Sequence, residues 1–322
     1  MRENNITYIR VAVTILVVLF HALGYYTFDW PWGSTKIYEC TLFDRVLNQF
    51  NMSIFVAISG YLFALHSQKV LGDTISYGIT NKLFRLLIPY LFWSGCQIIV
   101  FRASLNYLSI LYGCLHLWFL LMLFNIFIFA YLSRRFLLLS EPHWLIVTMI
   151  VLSLWAIIPN TPTILSINQI CKYAIFFVLG IYVERFPYTF RQYAIIPIML
   201  LSVIVVAVFT AYTRAGIFGS WLRVASCSTF IFALLQSTRN HIYSIPQWII
   251  HSLDKNSMGI YIIHHMIIWA LVQQHCIQNL LDTHLMLGPM LLFIIGLMGA
   301  WSISALILTN KYTSFLLGAK KL

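Results

Sequence analysis

Residues 8–26 read YIRVAVTILVVLFHALGYY, apolar almost throughout except for Arg10 and His21, eleven residues apart. A helix crosses a bilayer with roughly 17 to 25 such residues, so this stretch predicts a membrane helix that carries a cation and an imidazole. Eleven residues advance about 16 Å along a helix axis. Eleven turns of about 100° also come back to within about 20° of the starting direction. Arg10 and His21 therefore share one face, Arg10 near the beginning of the span and His21 past its middle. Ionisable side chains inside a membrane face a bundle interior or a water-filled cavity, which makes this face the predicted lining of a path across the first helix.

The rest of the chain repeats the apolar theme. Hydrophobic residues make up 61% of the 322 and charged residues 9%, and mean hydropathy is +0.85, whereas soluble domains are about a quarter charged. The chain reads as an all-α integral membrane protein, with one membrane-embedded domain over 1–322 and no appended soluble domain. About ten transmembrane helices are predicted, near 6–26, 46–66, 86–101, 115–132, 144–159, 169–184, 193–212, 217–236, 257–275 and 286–309. The first lacks a small-residue cleavage site and is read as a retained helix. With both termini inside, only Lys36, Arg45, Arg102, Lys172, Arg214 and Arg223 fall on the outer side, which leaves 14 of the 20 Lys and Arg residues inside. Lys and Arg mark the cytoplasmic side, so both termini are predicted cytoplasmic and the protein multi-pass in the inner membrane. This bias and contact with anionic membrane lipids explain the formal charge of +11, with no role for nucleic acid. Oligomeric state is not readable from these features.

Polar residues inside the apolar runs are the candidates for chemistry. Helix two contains NQFNMSIFVAISGYLF (48–63), in which Asn51, Ser59 and Gly60 suit close packing and cross-helix hydrogen bonds; Asn51 is also placed to orient a histidine. In NKLFRLLIPY (81–90), Lys82 and Arg85 lie one turn apart ahead of helix three, where two cations suit an anionic ligand. Arg134 and Arg135 on the next inner loop extend that set. GCLHLWFLLMLF (113–124) places His116 and Trp118 at an outer helix end as interface anchors. In NSMGIYIIHHMIIW (256–269), Tyr261 and His264 share a face with Ser257, and His265 lies one step round. The outer loop 27–45 offers Phe28, Trp30 and Trp32, which suit either a sugar ring or an aromatic belt. Of the six cysteines, Cys40, Cys114, Cys171 and Cys276 lie near predicted outer ends, where a disulfide is conceivable. Metal chemistry is not expected: HExxH and similar motifs are absent, and the reading places no carboxylate mid-span. A GxSxG elbow and a glycine-rich phosphate loop are absent as well.

The combination resembles the acyltransferase family 3 membrane proteins, which O-acylate cell-surface carbohydrates and related acceptors. The resemblance rests on Arg10 and His21 with AVTILVVLFH between, on IFVAISGYLF, KLFRLLIPYL, LWFLLMLF and FFVLGIYVERF, and on SMGIYIIHH, in family order along essentially the whole chain. It implies an acyl-CoA donor in the cytoplasm, most often acetyl-CoA, and a cell-surface glycan or lipid-linked saccharide as acceptor. It assigns an essential role to Arg10 and His21 and donor contacts to Lys82 and Arg85. The basic pair is usually two arginines, and lysine at 82 keeps a phosphate contact without bidentate geometry. Some members carry an added esterase-like domain; in this chain transfer is expected to finish within the membrane domain or with a separate partner.

The chemistry this implies is concrete. His21, whose reference pKa lies near neutrality, is the candidate general base for the acceptor hydroxyl. Arg10, a permanently protonated guanidinium, is a donor clamp or gate rather than a base. Tyr261, His264, His265, Asn51, His116 and Trp118 are candidates for acceptor or supporting contacts, and Ser59 is the candidate nucleophile if an acyl-enzyme forms. A transporter or flippase for a lipid-linked sugar or small metabolite is the rival reading. Such proteins often show two similar halves, and residues 1–160 and 161–322 show no such repeat.

Overall fold

A computed structural model of the protein describes residues 2–30, 33, 35–101, 106–158, 162–187, 192–211, 216–237, 246–285 and 287–319. Trp32 lies outside them, as do Arg102, Arg191, Arg214, Arg239, Lys320 and Lys321 of the charge reading. Regular structure among the described residues is entirely helical. In chain order the principal helices are α1 (Arg2–Leu23), α2 (Tyr38–Leu65), α3 (Ile75–Val100), α4 (Leu115–Leu132), α5 (Pro142–Ala156), α6 (Ile164–Arg185), α7 (Gln192–Ala211), α8 (Gly216–Ser237), α9 (Gln247–Val272), α10 (His275–Thr283) and α11 (Leu287–Thr309). Among the described residues, eight stretches are long and apolar enough to cross a membrane, and α9 with α10, bent by 89° at their junction, makes a ninth if the pair is one span. Helix α5 is apolar but has only 15 residues. The outward faces are themselves apolar, as Ile196, Leu200 and Leu201 on α7 and Met290, Met298 and Leu306 on α11 illustrate. A surface of that kind is at home in lipid.

Three helices begin eight or more residues earlier than their apolar runs suggest: α2 at Tyr38 rather than 46, α3 at Ile75 rather than 86, and α9 at Gln247 rather than 257. Each early turn contains charges, namely Asp44 with Arg45, Lys82 with Arg85, and Asp254 with Lys255. Several of these charges have protein partners, which compensate the loss of water, so polarity alone misplaces the boundaries.

The chain divides into two compact units. The first gathers Glu3–Asn51 with Tyr243–Leu322, and the second comprises Met52–Ile242. In the first unit, α1 buries Ile6, Ile9, Val13, Val17, Val18, His21 and Ala22, a stripe at three- and four-residue spacing. Helices α9 and α11 pack antiparallel through small residues: a Cβ at Gly259 would sit 2.1 Å from Ser304 Oγ and one at Gly296 3.0 Å from Ile268. Ser304 donates to Asn256 Oδ1 at 2.9 Å, and Asn256 donates to Ser252 O at 2.8 Å. Helix α10 caps the His21 end of α1, where Tyr26 donates to Leu281 O at 3.0 Å and Tyr25 to Asp282 at 3.1 Å.

In the second unit, the portion of α2 after Asn51 crosses α6 at two glycines. A Cβ at Gly60 would lie 2.0 Å from Phe177 O, and one at Gly180 2.0 Å from Ala57 O. Helix α3 contains a π-helical segment at Leu83–Leu87, in which the Ile88 N–H reaches back to Leu83 O. Pro89 explains it: proline has no N–H for the Arg85 carbonyl and its ring collides with that carbonyl, so the helix takes up an extra residue in the turn. All six cysteines are free thiols in this structure, Cys40, Cys114, Cys171 and Cys276 of the predicted outer ends included.

Candidate active site

The geometry of the first unit is set by two rungs between α1 and α9. At the first, Arg10 Nε and Nη2 donate to the two carboxylate oxygens of Asp254 at 2.5 and 2.6 Å, a bidentate fork. At the second, eleven residues on along α1 and ten along α9, the rings of His21 and His264 meet with 3.1 Å between His21 Nδ1 and His264 Nε2. Both rungs advance in the same direction, so α1 and α9 run parallel. The fork leaves Nη1 and one Nη2 hydrogen of Arg10 as donors for another anion. The pair keeps 31% and 18% of its side-chain surface exposed, so its worth is well below that of a fully buried pair. Asp254→Ala is expected to cost about 1–2 kcal/mol, and the reciprocal exchange Arg10→Asp with Asp254→Arg to recover most of the thermal stability in detergent.

The histidine rung has a defined proton arrangement. His264 Nδ1 lies 2.7 Å from Ile260 O and His21 Nδ1 lies 2.9 Å from Val17 O. Carbonyls only accept, so both Nδ1 atoms carry hydrogen. The His21 Nδ1–H is then shared between Val17 O and His264 Nε2, whose lone pair faces it. This tautomer makes Nε2 the basic nitrogen of His21. His21 is 4% exposed and His264 is fully buried. His265 packs edge-on to His21 with centroids 5.0 Å apart, and Tyr261 lies 6.3 Å from the His264 ring.

Trp30 closes this cluster, with its ring centroid 5.4 Å from His21 and 5.9 Å from His265. Its position is fixed by two adjacent residue pairs. Trp30 hydrogen-bonds the side chain of Asp44, and Asp29 accepts a bidentate fork from Arg45 at 2.6 Å for both bonds. Lys36 Nζ donates to Trp30 O at 3.0 Å, and burial lowers its pKa. The Arg45 fork holds Asp29 below the ordinary carboxylate range. The contribution of this ion pair is therefore complete above the unfolded carboxylate pKa and is lost as pH falls through the lower folded value. The pair is exposed, so its effect is small. Asp44 is 2% exposed, with one oxygen lacking a partner among the described residues. Asp44→Leu deprives Trp30 of its acceptor and is expected to lower thermal stability by about 1–3 kcal/mol, whereas Asp44→Asn, which keeps an oxygen acceptor, stays near wild type.

Other predicted residues take different places. Asn51 is buried, and its amide has no hydrogen-bond partner among the described residues. It does not orient His21, because Val17 O and His264 do so. Phe28 is exposed rather than stacked at the site. In the second unit, Lys82 Nζ sits 3.7 Å over the Phe127 ring, while Arg85, within the π segment, is exposed. Arg134 donates to Asp73 O at 2.7 Å, and Arg135 is exposed. His116 is buried against Gln97, with 3.3 Å from Gln97 Nε2 to His116 Nδ1, so it is no solvent-facing interface anchor; Trp118 packs on Tyr173 at 5.6 Å. Ser59 commits its hydroxyl hydrogen to Phe55 O at 3.0 Å, which ill suits a nucleophile.

Asp254, Trp30 and Asp44 are the site residues that sequence reasoning missed or left undecided. One signal was available: Asp254 and His265 are eleven residues apart, the Arg10 to His21 interval over again.

A polytopic helical membrane protein with a buried, hydrogen-bonded histidine pair is the class that fold and site define. The acyltransferase domain of acyltransferase family 3 matches residues 3–309, so the chain belongs to that family of membrane acyltransferases. Nodulation protein NolL of Mesorhizobium japonicum is 27% identical over 92 residues, 29% of this chain and 23% of NolL, so the chain matches about a quarter of that relative's length. No solved structure matches the chain.

Proposed function

We propose that this protein is an O-acyltransferase that moves an acyl group, acetyl in the first instance, from cytoplasmic acyl-CoA to a hydroxyl of a cell-surface or lipid-linked carbohydrate. The observation that carries the reading is the histidine rung, whose proton arrangement gives His21 a basic Nε2. In the reaction that nitrogen takes the acceptor hydroxyl proton as the oxygen attacks the thioester carbonyl. The tetrahedral intermediate expels the CoA thiolate, and the same proton passes from His21 to sulfur. An acyl-CoA carries its phosphates and its thioester at opposite ends of a long arm. A cation and a base spaced about 16 Å along one helix suit such a donor, with the outer edge of the Arg10 fork as a phosphate contact. Lys82, Arg85, Arg134 and Arg135 are proposed as further phosphate contacts. Trp30 and His265 are proposed to border the acceptor, with Tyr261 and Asn51 behind them.

The protein is placed in the inner membrane as a ten-crossing chain with both termini cytoplasmic, a topology supported by the distribution of lysine and arginine. The test is transfer of label from acyl-labelled acetyl-CoA to envelope saccharides in isolated membranes. Acceptor-dependent transport with no label transfer would overturn the enzymatic reading in favour of a transporter. The charge exchange at Arg10 and Asp254 adds a second arm: it is expected to restore stability without restoring transfer, because the cation then sits on the wrong helix.

A further inference from the structure

We propose that His264 is the positioning residue of His21, with its Nε2 lone pair serving where a hydrolase triad uses a carboxylate. The inference rests on the reading of His21 as the base and concerns how a base functions among apolar helices. Adding a proton at His21 Nε2 breaks none of the three contacts at the rung. The imidazolium keeps its Nδ1–H directed at two acceptors, Val17 O at 2.9 Å and His264 Nε2 at 3.1 Å. Passing the Nδ1 proton on to His264 would instead leave the bare His21 Nδ1 facing Val17 O, two lone pairs in opposition. The charge therefore stays on His21, and His264 acts through it without taking the proton.

The direction of His264 is set in turn by its own bond to Ile260 O at 2.7 Å. Acceptors already aimed at the charge that will form need no reorganisation during the reaction, and this is the main source of electrostatic catalysis. A neutral partner also avoids holding a second charge out of water beside His21. Four carboxylates of this unit have other partners: Asp254 takes Arg10, Asp29 takes Arg45, Asp44 takes Trp30 and Asp282 takes Tyr25.

Two variants separate positioning from packing. His264→Phe removes the acceptor and keeps a ring, while His264→Gln restores a side-chain oxygen at similar reach. With acetyl-CoA as donor and envelope saccharide as acceptor, His264→Phe is expected to lower kcat on the order of 10²-fold, less than loss of a charged orienting group. KM for acetyl-CoA should stay unchanged, and His264→Gln should recover much of the rate. Nitrogen-15 spectra of the full chain in detergent provide a readout independent of activity. His264 Nε2 should appear as a non-protonated nitrogen coupled through the hydrogen bond to His21 Nδ1. A protonated His264 Nε2, or a His264→Phe enzyme with wild-type kcat, would overturn the proposal. Should His264→Phe fail to fold, the wild-type spectrum decides. Should the wild type transfer no acyl group, the functional reading fails while the spectrum still decides the proton arrangement.

Discussion

His21→Gln is expected to reduce acyl transfer by about 10²–10⁴-fold, the range that a positioned general base supplies, while the protein still accumulates in the membrane. Glutamine reaches about as far as imidazole and can hold a hydrogen bond to His264 Nε2, so the rung survives in outline. What disappears is the basic nitrogen: an amide cannot take up the acceptor proton. The informative comparison is kcat against KM for acetyl-CoA. A loss confined to kcat locates His21 in the transition state, whereas a rise in KM alone would mean that it binds donor. Transfer at the wild-type rate would remove His21 from the chemistry.

The second large effect concerns assembly. Gly60→Ala and Gly180→Ala are each expected to prevent recovery of a monodisperse protein from detergent, read by size-exclusion chromatography and thermal unfolding. The added Cβ would stand 2.0 Å from the Phe177 carbonyl oxygen in one case and from that of Ala57 in the other. Both opposing atoms are helix backbone, so no rotamer change relieves the contact and α2 and α6 must separate. The cost starts at the ~1–3 kcal/mol typical of overpacking and rises as contacts along the crossing are lost. Close approach at small residues is a main source of helix association where lipid offers no hydrophobic drive. A control at Gly72, where an added Cβ meets nothing within 4 Å, should be tolerated.

The helical class was legible because lipid demands long apolar runs, and those runs are in plain view. The early turns of α2, α3 and α9 were not, because a charge in a membrane helix is tolerated through a partner distant in sequence. Asp254 is compensated by Arg10, 244 residues away. The site divides in the same manner. Helical phase put Arg10 with His21 and Tyr261 with His264. That the two sets face each other is a tertiary fact, and with it came the proton arrangement at His21. Asp44 is not legible because its stretch reads as a loop in sequence, and His116 stands at a helix end in sequence although Gln97 draws it inward. The glycines of IFVAISGYLF and FFVLGIYVERF stand in two separate motifs of the sequence; in the fold they are the two sides of one contact.

The parallel course of α1 and α9 constrains the chain as a matter of parity. Two helices that traverse a bilayer in the same direction must be separated by an odd number of crossings. Among the described residues, six stretches of spanning length lie between them, in α2, α3, α4, α6, α7 and α8, an even number that would set α9 against α1. The proposed ten-crossing topology resolves this by having α5 cross as well, although its 15 residues span only about 22 Å of a core about 30 Å thick. Cysteine-accessibility labelling at Glu141 and Ile158 would report opposite sides of the membrane, and the bilayer would have to thin around the shortest helix of the set.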